Sequence, residues 1–263
     1  MKHFFRVGLA TLAAAAMPMF AQANGSGNGN GSASNSCASL PSQADLKQAL
    51  ENAVEDEESG LDFEMWATMV DRDGVVCAVA FSGDDRGAQW PGSRVISAQK
   101  ANAANAFSLD GLALSTANLY AAVQPGGSLF GLQESNPVDT TVAYKGPSKN
   151  YGTKNDPMVG EKIGGVNVFG GGLALYSASN KVVGGVGVSG DTSCADHMIG
   201  WRVRHELGLD NFGATVGGVS AVFMIDADRP DNIIYDLDDA MPTGFGHPTC
   251  LNTGDETTLP AVN

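Results

Sequence analysis

Apolar residues first fall into register at Leu46, Ala49, Leu50, Ala53 and Val54, a spacing that gives one face to a helix over Gln43–Glu55. Ser42-Gln43-Ala44-Asp45 opens it like a capping box, with Asp where Glu or Gln is usual. The pattern then changes. Phe63–Asp71 and Val75–Phe81 are rich in apolar and β-branched residues and flank Arg72-Asp73-Gly74, which predicts a hairpin. A second helix is expected over Ile96–Phe107, where Ala98, Ala101, Ala104 and Ala106 let another backbone pack closely. Leu109–Val123 reads as partly helical, ended by Gln124-Pro125-Gly126-Gly127. Residues 133–165 form a long polar connection punctuated by Pro137, Pro147 and Pro157, a functional cover or an interface arm.

Three consecutive glycines precede a second hairpin, Gly172–Ser177 and Val182–Ser189, whose second strand is apolar except where glycine replaces a side chain. Glycine inside a strand marks a bulge or a close approach to the backbone. A helix over Cys194–Leu207 follows at once, with Ile199, Val203 and Leu207 on its buried stripe and Gly208 placed to cap it. A strand over Val219–Asp226 and a shorter one over Ile233–Asp236 complete the reading. This order implies an α+β fold: an antiparallel β-sheet built from two hairpins with helices layered against it.

Lys2, His3 and Arg6 precede an apolar run from Val7 to Phe20, and Ala21-Gln22-Ala23 offers a cleavage site, so residues 1–23 read as a signal peptide. Residues 24–36, almost wholly Gly, Ser and Asn, read as a flexible leader. Residues 37–263 suffice for a single domain, with the insertion at 133–165 and a C-terminal extension at 210–263. No later stretch is long and apolar enough to insert in a membrane, so the expected location is periplasmic or secreted. Formal net charge is −14, and −16 once Lys2 and Arg6 leave with the signal peptide. That acidity argues against nucleic acid and anionic membrane surfaces as partners.

Four cysteines, Cys37, Cys77, Cys194 and Cys250, in an exported chain favour two disulfides. Three connectivities are open; the expected one, Cys37–Cys77 with Cys194–Cys250, fastens each terminal segment to the core. No CxxC or CxxCH occurs, which argues against covalent c-type haem and a thiol-rich zinc site.

Candidate chemistry gathers at the second hairpin. Ser189-Gly190-Asp191-Thr192-Ser193 places backbone N–H groups and hydroxyls at a helix N-terminus, and Gly171, Gly172, Ser189, Gly190 and Asp191 are the residues expected around a ligand. The alternative is that these glycines only permit close helix–sheet packing. Lys100, one turn after Ser97, would pair with an anion there, or else be a solvated lysine whose stem covers the alanine face. Arg86 is a second anion partner, its planar fork suiting carboxylates, or else an exposed loop arginine. His197, with Asp196, is a candidate metal or axial haem ligand, or else a surface or tail-packing histidine; His247 would come near it if Cys194 pairs with Cys250. Ser189 in GVSGD is not the nucleophile elbow, and Asp226-Ala227-Asp228 is only a fragment of a calcium loop.

Asp71-Arg72-Asp73-Gly74, Ser97-Ala98-Gln99-Lys100-Ala101, Gly170-Gly171-Gly172-Leu173-Ala174-Leu175, and Val183-Gly184-Gly185-Val186-Gly187-Val188-Ser189-Gly190 leading to Asp196 together resemble the GlcG/HbpS-like family. The resemblance covers roughly residues 43–209. It implies an α+β domain assembled as a homo-oligomer that binds haem or another small ligand, and the family pattern places a lysine at Lys100. The chain departs from the compact pattern in the GAQWPGS of the first loop, in the 133–165 insertion and in the tail. The functional expectation is an exported, non-enzymatic haem- or small-ligand-binding protein. Two alternatives stand beside it: an enzyme or accessory factor acting on a small organic acid held by Lys100 and Arg86, and an extracellular structural domain with a vestigial pocket.

Overall fold

A computed structural model of the chain describes residues 37–235 and 244–263; the expected signal peptide, the leader and Asp236 lie outside them. Helix α1 (Gln43–Glu55) has the bounds its periodicity predicts, and the capping box is formed: Ser42 N–H donates to Asp45 Oδ2 at 2.8 Å. The first hairpin is β1 (Trp66–Asp71) and β2 (Val76–Phe81), with Gly74 at φ +77° in its turn. Both strands of the second hairpin, β3 (Gly172–Tyr176) and β4 (Val182–Ser189), lie within a residue of expectation. The four strands make one antiparallel sheet in the order β2-β1-β4-β3. The long connection lets β4, not β3, pair with β1, so the glycine-rich strand sits centrally.

Both faces of the sheet are buried. On one, Ala67, Met69, Ala78, Ala80, Leu173, Leu175, Val186 and Val188 pack with Leu46 and Leu50 of α1 and with Met198, Ile199 and Val203 of helix α3 (Ser193–Glu206). On the other lies helix α2 (Ser93–Phe107), with Trp66, Val70, Val79 and Phe81 against Val95, Ala98 and Ala101. A Cβ at Gly187 would overlap the Ser97 carbonyl oxygen, and one at Gly185 would overlap that of Ala101. The glycines of β4 are where α2 lays its own backbone on the sheet.

Helix α2 starts at Ser93 instead of Ile96, because Arg94 is fixed there by a fully buried ion pair. Its Nε and Nη2 donate to the two carboxylate oxygens of Asp156 at 2.9 and 2.5 Å, and Nη1 donates to Ala143 O at 2.7 Å. Asp156 also accepts from Gly152 N–H and Met158 N–H. This clamp holds the 133–165 arm on the α2 face, where Ala143, Met158 and Ile163 complete the apolar cluster.

The tail covers the outer side of α3. Arg204 pairs with Asp231, both fully buried, at 2.6 Å, and its guanidinium lies 4.4 Å from the Trp201 ring; the Trp201 indole donates to Pro260 O. The helix is therefore buried well beyond the expected stripe. Disulfides join Cys37 to Cys77 and Cys194 to Cys250, and among the described residues no cysteine is free. No described helix is long and apolar enough to cross a membrane.

Two elements correct the sequence reading. Val219–Asp226 is not a strand: Val219–Val222 is one helical turn, and Val222–Ile225 lie exposed. Only Gly217–Gly218 pairs, in parallel with Leu112–Ala113, and the apolar run beyond has no strand to join. The shorter strand expected over Ile233–Asp236 is, in its described residues, only an isolated bridge between Tyr235 and His247. Leu109–Val123 is helical in part, as expected: the two-residue strand is followed by a 3₁₀ turn at Ala117–Leu119 and an α-helical turn at Tyr120–Val123.

Candidate functional site

Two places carry concentrated polar chemistry. The first is the junction of β3, β4, α2 and the start of α3. The fully buried Lys100 ammonium bonds Asp196 Oδ2 at 2.5 Å and Val188 O at 3.0 Å, with the Phe169 ring 4.6 Å away. Asp196 Oδ1 accepts from Gly190 N–H and Asp191 N–H, both at 2.9 Å. Burial pushes the Asp196 carboxyl up to about 6, against the pull of Lys100 and the two N–H groups, and burial likewise lowers Lys100. An ion pair at this distance with two further donors on the carboxylate keeps the charged form at neutral pH.

The predicted residues do come together here, but they engage one another. Asp191 accepts from Leu61 and Phe63 N–H, and Gly190 O is taken by the Gln89 side chain. Ser97 Oγ bonds Thr68 Oγ1 and Arg94 O. A Cβ at Gly172 would sit 2.6 Å from Lys100 O, and one at Gly171 would overlap Val188 O. Ser189 is buried at the end of β4. The helix N-terminus expected to hold an outside anion holds Asp196 of its own first turn instead, so Asp196 is not available to share a ligand with His197.

The second place is an open cleft of about 610 Å³ between the loop after β2 and the 149–154 part of the arm. Lys47, Arg86, Lys149 and Lys154 line it, with Asp84, Asp85, Phe81 and Tyr151. Lys47 donates to Glu51 and to Phe81 O; Arg86, Lys149 and Lys154 are exposed. At Arg86 and Tyr151 the cleft adjoins a slot of about 100 Å³ walled by Trp66, Pro91, Arg94, Val95 and Tyr144. Arg94 stacks on Tyr151 at 3.6 Å, so the buried clamp also sets this wall. The Trp66 indole N–H has no partner among the described residues. Arg86 is the sequence candidate found here. Lys47, Lys149, Lys154 and Tyr151 were missed, although three lysines within ten residues (Lys145, Lys149, Lys154) in so acidic a chain were a readable signal.

A third grouping lies where the tail meets α3. His197 and His247 both border Gly170: a Cβ there would meet His197 Cβ at 3.0 Å, and Gly170 N–H lies 3.4 Å from His247 Nε2. Burial lowers His197 to about 3 and His247 to about 4, so both rings are neutral.

The model of the haem-degrading HbpS-like proteins matches residues 42–202. The chain belongs to the HbpS-like family. The matched span holds the whole sheet and α1 and α2, and reaches into α3; it stops short of the tail that carries His247 and Cys250. Among solved structures, Klebsiella pneumoniae protein ORFY is 24% identical over 64% of this chain and 90% of its own, with a TM-score of 0.43. PduOC in complex with heme is 21% identical over 62% and 89%, with a TM-score of 0.43. HbpS is 14% identical over 62% and 84%, with a TM-score of 0.37. No curated protein matches the chain.

Proposed function

We propose that this HbpS-like protein is exported and binds an amphipathic small anion, haem foremost, in the cleft beside Arg86, without turning it over. One observation carries the reading: four cations, Lys47 (paired with Glu51), Arg86, Lys149 and Lys154, outnumber the carboxylates Asp84 and Asp85 along a cleft of about 610 Å³ in a chain of net charge −14. A volume of several hundred Å³ suits a cofactor-sized ligand. The residues fit haem in two respects. Lysine and arginine at the mouth would hold propionates, and Phe81, Tyr151 and the adjoining slot offer apolar and aromatic surface to a macrocycle. The unpartnered Trp66 N–H would serve an acceptor on a ligand entering the slot. The two disulfides support export, and self-association, as in the family resemblance, belongs to the same reading.

Titration of the full chain with haemin tests this. The expected result is a saturable Soret shift with one-to-one stoichiometry, weakened in Arg86→Ala and Lys149→Ala. No saturable shift at micromolar haemin overturns haem; a small dicarboxylate that then raised the melting temperature in an Arg86-dependent way would favour the organic-acid reading. Loss of the Soret band with time under a reductant would replace binding by degradation.

A further inference from the structure

The sequence around the second disulfide has a symmetry that the disulfide itself hides. Cys194-Ala195-Asp196-His197 on α3 and His247-Pro248-Thr249-Cys250 on the tail place a cysteine and a histidine three residues apart, in opposite orders. On a helix, positions three apart share a face, so Cys194 and His197 point to the same side. The tail brings its pair to that side. One ligand atom each from Cys194, His247 and Cys250 lie within 4.8 Å of one another, with Cys194 and His247 buried and Cys250 partly exposed. Around a tetrahedral zinc ion, with bonds of about 2.3 Å to sulfur and about 2.0 Å to nitrogen, ligand atoms sit roughly 3.3–3.8 Å apart. The His197 ring is not within 4.8 Å of all three, so a tetrahedral site needs the two sulfurs to part and His197 to close on them.

The outer hydrogen bonds are those of metal-ligating histidines. His247 Nδ1–H donates to Pro248 O at 2.7 Å, which leaves the lone pair on Nε2, where a metal would displace the long 3.4 Å bond from Gly170 N–H. Such a bond from the other ring nitrogen fixes which one ligates. His197 Nε2 lies 3.1 Å from Asn232 Oδ1. Ile233 N–H, also 3.1 Å from that nitrogen, is satisfied by Asn232 Oδ1 at 2.9 Å. With the proton on Nε2, the fully buried His197 Nδ1 keeps a lone pair and has no hydrogen-bond partner. An orphaned buried nitrogen calls for a ligand. Cys250 Sγ also accepts from Cys194 N–H at 3.2 Å, at the N-terminal end of the fourteen-residue α3, a setting that favours a thiolate once the bond is open.

We propose that Cys194, Cys250 and His247, with His197 as the fourth ligand, form a zinc site that is closed while the Cys194–Cys250 disulfide stands and becomes available when it is reduced. A phosphine supplies the two electrons and leaves as its oxide, taking oxygen from water; the two thiols formed release their protons to the solvent as one Zn2+ binds. A dithiol does the same by closing to its own disulfide. A small-molecule disulfide reverses the sequence: it takes two electrons from the thiolates and two protons from the solvent, leaves as two thiols, and the re-formed Cys194–Cys250 bond expels Zn2+.

The full chain, reduced with a phosphine and freed of it without air, is titrated with Co2+. The expected result is one equivalent bound, with sulfur-to-cobalt charge transfer and the strong visible bands of a tetrahedral ion, all displaced by Zn2+. The oxidised chain and Cys194→Ser/Cys250→Ser should show neither, and Cys37→Ser/Cys77→Ser should behave as wild type. His247→Ala should bind Co2+ at least roughly tenfold more weakly, the loss that even an outer-sphere partner can cause; His197→Ala should alter the tetrahedral bands. Absence of charge transfer in the reduced wild type overturns the site, as does its persistence in Cys194→Ser/Cys250→Ser or unchanged binding in His247→Ala. An unaltered spectrum in His197→Ala overturns the four-ligand site. Should the reduced chain unfold, refolding it with Co2+ present reads the same site by the same criteria.

Discussion

The junction around Lys100 and the cleft around Arg86 hold the same kinds of groups, a cation among carboxylates and small residues, yet one is sealed and the other open. At the junction every glycine is matched by backbone of the protein itself: Ser97 and Ala101 over β4, Lys100 over β3. At the cleft Arg86, Lys149 and Lys154 project from a loop and an arm, while Lys47 of α1 is partnered by Glu51 of its own helix. Dense glycine here therefore reports close approach of a backbone: that of α2 at Gly172, Gly185 and Gly187, that of β4 at Gly171 and that of Glu64 at Gly190.

Four measurements break or sharpen that contrast. The largest effect is expected from Gly187→Val, whose side chain would meet the Ser97 carbonyl; we expect a loss of at least about 3 kcal/mol in denaturant unfolding. A stability near wild type would mean that α2 does not rest on β4. Lys100→Met should cost about 3–5 kcal/mol because Asp196 is left buried and unpaired, and Lys100→Met/Asp196→Asn should recover part of it. A lysine facing an open pocket would show neither the loss nor the recovery.

The third effect concerns acid. His197 and His247 are held well below the unfolded value of about 6.5, so between that pH and their folded values the unfolded chain binds more protons. Their contribution is complete above about pH 6.5 and is lost as pH falls towards 4 and then 3. Unfolding of the oxidised chain at pH 7 and pH 5 should show the drop, and His247→Gln should flatten it. A slope unaffected by that change would mean the ring is not buried neutral. The smallest stability effect belongs to the cleft: Arg86→Ala should change unfolding by less than about 0.5 kcal/mol, as exposed positions do, while weakening haemin binding. A large destabilisation there would make Arg86 a structural residue.

Much of the framework was legible because its causes are local. The Ser42–Asp45 box, the Asp73-Gly74 turn and the apolar run of β4 each act within a few residues, and their bounds came out close. Val219–Asp226 misled because apolar, β-branched residues make a strand only where another strand offers its edge. Arg94 and Asp156 gave no sign of each other across the arm they fasten. The Lys100 site was half legible: its members were named and they do meet, but Asp196, two residues past the anticipated loop, occupies the place meant for a ligand.

The sequence by itself determined the hairpins, the main helices, the family and the cysteines available for pairing, since these rest on periodicity, turn chemistry and motif. Only the tertiary structure decided which polar groups face one another and which face solvent. Lys100 and Asp196 are far apart along the chain and in contact in the fold, and the cations of the cleft come from α1, a loop and the arm. Such meetings depend on how layers stack over long chain separations, and stacking leaves no periodic trace in the residues that it brings together.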